Sequence, residues 1–545
     1  MRLKLIWLLY ATLISTVLKA QPVVQWQKSL GGTSDEFCWW VITTTDGGFA
    51  ISARSRSVDG DVTGNHGRTD YWIVKTDFSG NIEWEKSIGG SLSDASNNII
   101  QTLDNGFLIG GFSYSNDGDF HNHHGSDTTS DISIVRLDSM GNILWTQSYG
   151  GTNWDIGSSL QALDDGCFLV CAHTNSSDGD VFGYHPGPDP FSHDIWLFKI
   201  DSMGNMIWQK CLGGSGEERF AGAFQTPDHG YLVYGDVFGT TDGDLIGNVD
   251  TGASAQSAWV VKLDSSLNIQ WSKLYGGSGK EEINKVIPQS DGGYLLGCVT
   301  ESNDGDVSGN HVVGERDYWL VRTDSVGNIL WQHCYGGEYY DELNDMAMDV
   351  DGGIVMAGQT LTSENGDVSL NYGMVDLWVV KTDSAGNLMW EDCYGGSLTE
   401  FCGQICLTQD SGYIISGYSQ SNDGDVSGHH GLTTTNDVWL LKLKMTYTGI
   451  SDMEFPFSSF GAYPSPASDY LIFSLYLETS SDVAISLYDL SGHEVAIVSN
   501  RKLPAGHHNL RWEMQDLPRE FPDGIYIARI KSGNFTSAGK VSIMR

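Results

Sequence analysis

The sequence predicts an all-β protein: a seven-bladed β-propeller whose seventh blade is closed by the N-terminal strand, followed by a small Ig-like β-sandwich. Three observations predict it. A Trp followed shortly by Gly-Gly recurs at Trp26, Trp84, Trp145, Trp208, Trp271, Trp331 and Trp390, at intervals of 58–63 residues, and self-similarity at a fixed period marks a repeat architecture. Each repeat holds four short apolar runs separated by Gly- and Asp-rich turns, the pattern of a four-stranded blade. Beyond Lys444 the period stops, and a second alternating pattern runs to Arg545.

The repeat that begins at Gly276-Gly277 shows the layout. Strands are expected over 283–289, 294–300, 318–323 and 328–335, with a loop of about 16 residues between the second and third. Asp291-Gly292-Gly293 and Asp324-Ser325-Val326-Gly327-Asn328 supply the residues that tight hairpins demand. Val23–Lys28 reads as a fourth strand without a first three, and Asp437–Lys442 as a third strand without a fourth. Pairing the two closes the ring and removes an exposed sheet edge. Aromatic residues repeated in every copy are expected to pack between blades. Trp39, Trp40 and Trp154 lie outside the repeat and are the candidate ligand contacts.

Residues 1–20 read as a signal peptide, with Arg2 and Lys4 before an apolar run from Leu5 to Val17 and a cleavage position at Ala20. No later stretch is apolar enough to span a bilayer as a helix. A net charge of −39 over 545 residues argues against a nucleic-acid partner, because phosphate binding needs clustered Lys and Arg. Cys211, Cys334 and Cys393 fill one slot in different repeats, too far apart to bridge, and read as small buried residues. The expected organisation is a propeller over 21–446, a linker over 447–462 and a final module over 463–545.

The final module carries Tyr463-Pro464-Ser465-Pro466-Ala467-Ser468-Asp469, Leu487-Tyr488-Asp489-Leu490-Ser491-Gly492, Gly506-His507-His508-Asn509-Leu510-Arg511-Trp512, Gly524-Ile525-Tyr526 and Lys540-Val541-Ser542-Ile543-Met544-Arg545. In that order it resembles the type A C-terminal sorting domain of the Bacteroidota type IX (Por) secretion system. The resemblance rests on Pro464, Pro466, Gly492, Gly524, Tyr526 and Lys540 among others. It implies the type IX machinery as partner, passage across the outer membrane, and display on the cell surface or release. The propeller repeats resemble the delta-60-like repeats attached to such tails, which implies a fold rather than an activity.

Strand direction alternates within a blade, so the fourth-to-first and second-to-third connections share one face. Acids follow Gly-Gly in every copy, among them the doublets Glu217/Glu218, Glu281/Glu282 and Asp341/Glu342. The long loop carries Asp-Gly-Asp as Asp59/Asp61, Asp117/Asp119, Asp178/Asp180, Asp242/Asp244, Asp304/Asp306 and Asp423/Asp425, with Asn365-Gly366-Asp367 in the sixth copy. Runs such as Asp61 to Asp70 and Asp306 to Asp317 place oxygens at alternate positions, as a calcium loop does. These acids are therefore candidate Ca2+ ligands, and the competing reading is that Asp and Gly simply shape the turns. His66, His124, His185, His311 and His430 are expected to hydrogen-bond the loop acids. His121, His123 and His124 form one local cluster on the candidate ligand face.

No nucleophile elbow, zinc-protease helix, P-loop or dinucleotide fingerprint occurs. The expectation is a monomeric, non-enzymatic, secreted surface protein of binding or adhesion type, holding a glycan or protein ligand on its loop face. The alternative is a secreted polysaccharide- or protein-degrading enzyme. Its first place to look is the insertion His185–Pro190 in the third repeat, and the acid doublets are its candidate catalytic groups.

Overall fold

The computed structural model describes residues 21–239, 242–245, 256–445, 457–463, 470–477, 480–488, 494–513, 524–532 and 535–543. The signal peptide, residues 447–456 of the expected linker, and Pro464, Pro466 and Gly492 lie outside the described residues.

Residues 21–445 form seven four-stranded antiparallel sheets. Their first strands are Glu36–Thr43, Asp94–Gln101, Asp155–Ala162, Glu217–Gln225, Glu281–Pro288, Asp341–Met348 and Glu400–Leu407. Each first strand packs on the first strand of the next sheet, and the first strand of sheet seven packs on that of sheet one. The seven sheets therefore close a ring with their first strands innermost, which is a propeller. The closing sheet combines Glu400–Leu407, Tyr413–Ser419 and Asp437–Met445 with Pro22–Leu30, in a register running from Pro22 opposite Met445 to Leu30 opposite Val438. The two half-blades complete one another, so the ring has no open seam.

The repeated Trp residues divide into two jobs. Trp72, Trp196, Trp259, Trp319, Trp378 and Trp439 on the third strands are fully buried. Each indole Nε1 donates to a polar side chain on the outer strand of its own blade, as Trp319 does to Gln332 Oε1 at 2.8 Å and Trp439 to Gln27 Oε1 at 3.0 Å. Those bonds answer the requirement that a buried N–H find an acceptor. The outer-strand Trp residues instead reach the next blade: Trp84 meets Phe107 at 5.7 Å and Trp208 meets Tyr231 at 5.2 Å between ring centroids. None of the nine cysteines is paired.

Each first strand also breaks register at the same place, for example between Cys38 and Trp40, between Ile283 and Lys285, and between Leu343 and Asp345. The extra residues are Trp39, Asn97, Ala221, Asn284 and Asn344 in blades one, two, four, five and six. Blades three and seven carry a two-residue interruption there, after Ile156 and Cys402. A bulge bends its strand and re-aims a side chain, and here it does so seven times around the ring axis.

The C-terminal strands form a separate unit of two sheets. Phe457–Tyr463, Tyr470–Leu477 and Gly506–Glu513 make one, and Glu494–Leu503, Ser481–Tyr488, Gly524–Ser532 and Phe535–Ile543 the other. Leu471, Phe473, Leu475, Val483, Ile485, Leu510, Trp512, Tyr526 and Ile530 fill the core between them, from alternating positions on each strand. The unit begins before Tyr463: Phe457–Tyr463 pairs with Tyr470–Leu477, so part of the expected linker is the first strand of the sandwich. The Pro464-Ser465-Pro466 motif drew the expected boundary too late, because it follows that strand rather than preceding the module.

Candidate functional site

Two layers of polar residues occupy the loop face, and they differ in kind. The outer layer is a latch repeated in nearly every blade. The first Asp of Asp-Gly-Asp accepts from the backbone N–H that follows Gly-Gly: Thr33 to Asp59, Ser91 to Asp117, Thr152 to Asp178, each at 2.8 Å, and Ser215 to Asp242, Ser278 to Asp304, Ser397 to Asp423, each at 2.7 Å. The second Asp accepts from the first Gly N–H, at 3.1 Å for Asp61 and Asp119 and 3.3 Å for Asp180, Asp244, Asp306, Asp367 and Asp425. The central Gly must be Gly: Gly60 has φ 67°, and a Cβ there would stand 2.3 Å from the Gly31 carbonyl oxygen.

Beneath the latch lie two buried acids at six of the seven junctions; in blade four Gln256 takes the third-strand position. The first residue of each inner strand, Glu36, Asp94, Asp155, Glu281, Asp341 and Glu400, with Glu218 in blade four, is wholly buried. It accepts from the second Gly N–H, as Asp155 does from Gly151 at 2.8 Å. The third-strand Asp accepts from a His Nδ1 at 2.7–2.8 Å in the pairs His66–Asp70, His124–Asp131, His185–Asp194, His311–Asp317 and His430–Asp437. The two acids meet over the turn: a Cβ on Gly336 would stand 2.4 Å from Asp317 Oδ1 and 2.7 Å from Asp341 Oδ2. Burial, opposed by these hydrogen bonds, pushes Asp155 and Asp341 up to about 7 and Glu218 up to about 8. The candidate calcium oxygens are thus directed at separate backbone and His donors rather than at a shared centre. Among the described residues no group of three or more His, Cys, Asp or Glu side chains is arranged to hold a metal ion.

The inner layer varies from blade to blade. The residue after each buried acid is Phe37, Ala95, Ile156, Arg219, Glu282, Glu342 and Phe401 in turn, paired across the strand with Arg54, Phe112, His173, Asp236, Val299, Gln359 and Tyr418. Blades seven and one present aromatics: Tyr418 lies 5.0 Å from Phe37, 5.4 Å from Trp39 and 4.9 Å from Phe401, with the Arg54 guanidinium 4.7 Å above Phe37. Blades four to six present charge. Arg316 makes two bonds to Glu282, at 3.0 and 2.8 Å, and lies 3.4 Å from Glu301 and 3.6 Å from Glu342. Tyr340 joins Arg316 to Glu342, and Gln359 Nε2 donates to Glu342 at 2.8 Å. The two sides adjoin at Gln359, whose Oε1 accepts from the Cys402 N–H at 3.4 Å, and burial raises the Tyr418 hydroxyl to about 12, with Arg54 opposing and Glu342 reinforcing the shift.

One contact fixes the axis. The Lys285 Nζ of blade five lies 5.5 Å over the Trp40 ring of blade one and 3.0 Å from Asp345 Oδ1 of blade six. Blades one and five are not neighbours, so this contact crosses the ring. Burial disfavours the ammonium, and Asp345 more than offsets it, holding Lys285 above its ordinary range. Trp40, Lys285 and Asp345 therefore form a plug, and the variable layer is the wall of a well above it. The bulge absorbs one residue, so wall and plug are two residues apart on the partner strand (Arg54 to Ser52, Val299 to Gly297), a rise of about 7 Å at about 3.3 Å per residue.

Trp39 stands in this wall and Trp40 in its floor. Trp154 sits at the rim on its own, stacked on Phe191 at 5.7 Å and donating to the Thr128 carbonyl at 2.8 Å. The His121–His124 cluster does not converge: His121 is exposed, while His123 and His124 both turn to Asp131, at 3.4 and 2.7 Å. Each acid doublet divides its labour. Glu218, Glu281 and Asp341 hold turns, and Glu282 and Glu342 belong to the wall, while Glu217 accepts from the His193 backbone N–H at 3.0 Å and pairs with Arg219 at 3.3 Å. Sequence reasoning missed Phe37, Arg54, Arg316, Phe401 and Tyr418, and the available signal was the residue after each invariant acid, which changes in kind around the ring.

Residues 461–544 match the family described as "Secretion system C-terminal sorting domain". The chain carries an export tail. That tail directs export by the type IX system to the cell surface or extracellular space, and among the described residues no helix is long and apolar enough to cross a membrane. A curated relative, the regulatory protein FlaEY of Caulobacter vibrioides, is 23% identical over 239 residues, 42% of this chain, and the chain spans 24% of its length. Solved structures with a similar course include the Neurospora crassa Pan2 WD40 domain (TM-score 0.40, 9% identity, 76% of this chain and 95% of that one). A protein of unknown function from Dyadobacter fermentans is similar too (TM-score 0.37, 12% identity, 79% and 100%). The propeller assignment rests on the sheet topology rather than on these neighbours.

Proposed function

We infer that the exported propeller is a non-enzymatic binding module whose ligand, a glycan or a protein segment, seats in the axial well. One observation carries this reading: the seven repeats agree at the latch and differ at the wall, where an aromatic side faces an acid–guanidinium side. Repeated groups serve the fold, and singular groups on a rigid scaffold serve recognition. Calcium in the Asp-Gly-Asp loops is no part of this reading, since those carboxylates already have turn-closing donors. Pull-down and glycan-array screening with the mature chain tests it, with capture of a ligand that Trp39→Ala abolishes as the expected result. Turnover of a polysaccharide or peptide by the mature chain would contradict it.

The enzymatic reading has one observation in its favour. Burial pushes Asp236 up to about 8, with Glu282 adding to the shift, which pairs a protonated acid near neutral pH with a carboxylate at the mouth. Asp236 Oδ1 accepts from the Ile283 N–H at 2.9 Å, and that bond gives it a structural role without chemistry.

A further inference from the structure

The geometry points to a narrower ligand: the axial well is a socket for the terminal residue of a neutral sugar chain. The inference rests on the binding reading above and names its ligand class. Three features combine. The first is closure. Trp40, Lys285 and Asp345 meet across the ring, so a ligand enters and leaves by the loop face, and a chain end or short branch fits where a continuous strand does not.

The second is the chemistry of the wall. A pyranose ring offers a C–H face and an edge of hydroxyls. Trp39, Phe37 and Phe401, gathered around Tyr418, supply aromatic surface for the former. Glu282, Glu342 and Arg316, fixed to one another at 2.8–3.6 Å, supply planar acceptors and donors for the latter, held in position before the ligand arrives. The bulges add amides at Asn97, Asn284 and Asn344. Asn284 Nδ2 donates to the Leu343 carbonyl at 2.8 Å, while the side-chain oxygens of Asn97 and Asn344 are shielded from solvent without a partner in the protein.

The third is charge. Arg316 sets one positive charge against the carboxylates of Glu282, Glu301 and Glu342, so the wall stays net acidic and, with the chain's net charge of −39, repels acidic sugars at low salt.

The test titrates the mature chain with gluco-, manno- and xylo-oligosaccharides of two to six residues and with oligogalacturonides, reading Trp fluorescence and calorimetry. A neutral series is expected to bind with affinity that stops rising once the well is filled, at about two residues. Trp39→Ala is expected to weaken binding roughly tenfold or more, Trp39→Phe to restore part of it, and rim variant Trp154→Ala to leave it unchanged, with all three variants folded at the assay temperature by circular dichroism. Affinity that climbs through six residues, preference for the oligogalacturonides, or no binding by any neutral series overturns the inference. Capture of a protein through Trp39 with no sugar binding overturns it while leaving the binding module itself standing.

Discussion

The latch and the well lie a few residues apart on the same strands, yet they obey opposite rules. Around the latch, Asp or Glu opens every inner strand and Gly-Gly precedes it in every blade, because junctions of one geometry need one set of donors and acceptors, with Asn365 and Gln256 the departures. One residue further on, the chain places Phe, Ala, Ile, Arg, Glu, Glu and Phe in turn. In a repeat protein, sameness marks what holds the ring together, and difference marks what the ring holds.

Substitutions can break that contrast, and the largest effect is expected in the packing layer. Trp319→Ala removes a fully buried indole and its bond to Gln332, and should cost about 3–5 kcal/mol by urea unfolding. Asp317→Ala strips the acceptor from His311 N–H and Nδ1, and should cost about 1–3 kcal/mol. If Trp319→Ala unfolds at the parent's midpoint the repeated indoles are not the framework, and if Asp317→Ala does so the buried His–Asp pairs are ornament.

The buried acids give a smaller, pH-dependent effect. Asp155, Asp341 and Asp376 are pushed up to about 7 and Glu218 to about 8, chiefly by burial. The folded chain therefore keeps protons that the unfolded chain has released. Stability from these groups is complete below about pH 4, the range of free carboxyls, and is lost as pH rises through 7 to 8. The melting temperature should be higher at pH 5.5 than at pH 8.5, and Asp155→Asn should flatten the slope. A rise in stability toward pH 8.5 would show that these acids are better solvated than the packing implies. The smallest effect is expected from chelation: EGTA should leave the melting temperature unchanged, and a drop would assign the Asp-Gly-Asp carboxylates to calcium instead of to the Gly-Gly turns.

Much of this framework was legible because it repeats. The Trp period gave the blades, and the unmatched strands at Val23 and Asp437 gave the closure seen in the Pro22–Met445 register. The well was less legible for a physical reason. Its wall is assembled from residues hundreds of positions apart, such as Phe37 and Tyr418, and no local pattern announces that Lys285 will reach Trp40 across the axis. Glu281 and Glu282 look alike as a doublet; only strand alternation, one side chain into the junction and the next toward the mouth, separates the turn acid from the wall acid.

The contrast between latch and well comes down to one paired measurement on the mature chain: the melting curve and the ligand capture of Trp39→Ala beside the parent. Trp39 is half-buried and packs on Tyr418, so the account predicts a chain that stays folded with a melting temperature lowered by a few degrees at most, together with loss of capture. Capture that survives in a stably folded Trp39→Ala chain would contradict it, and would place recognition outside the axial well.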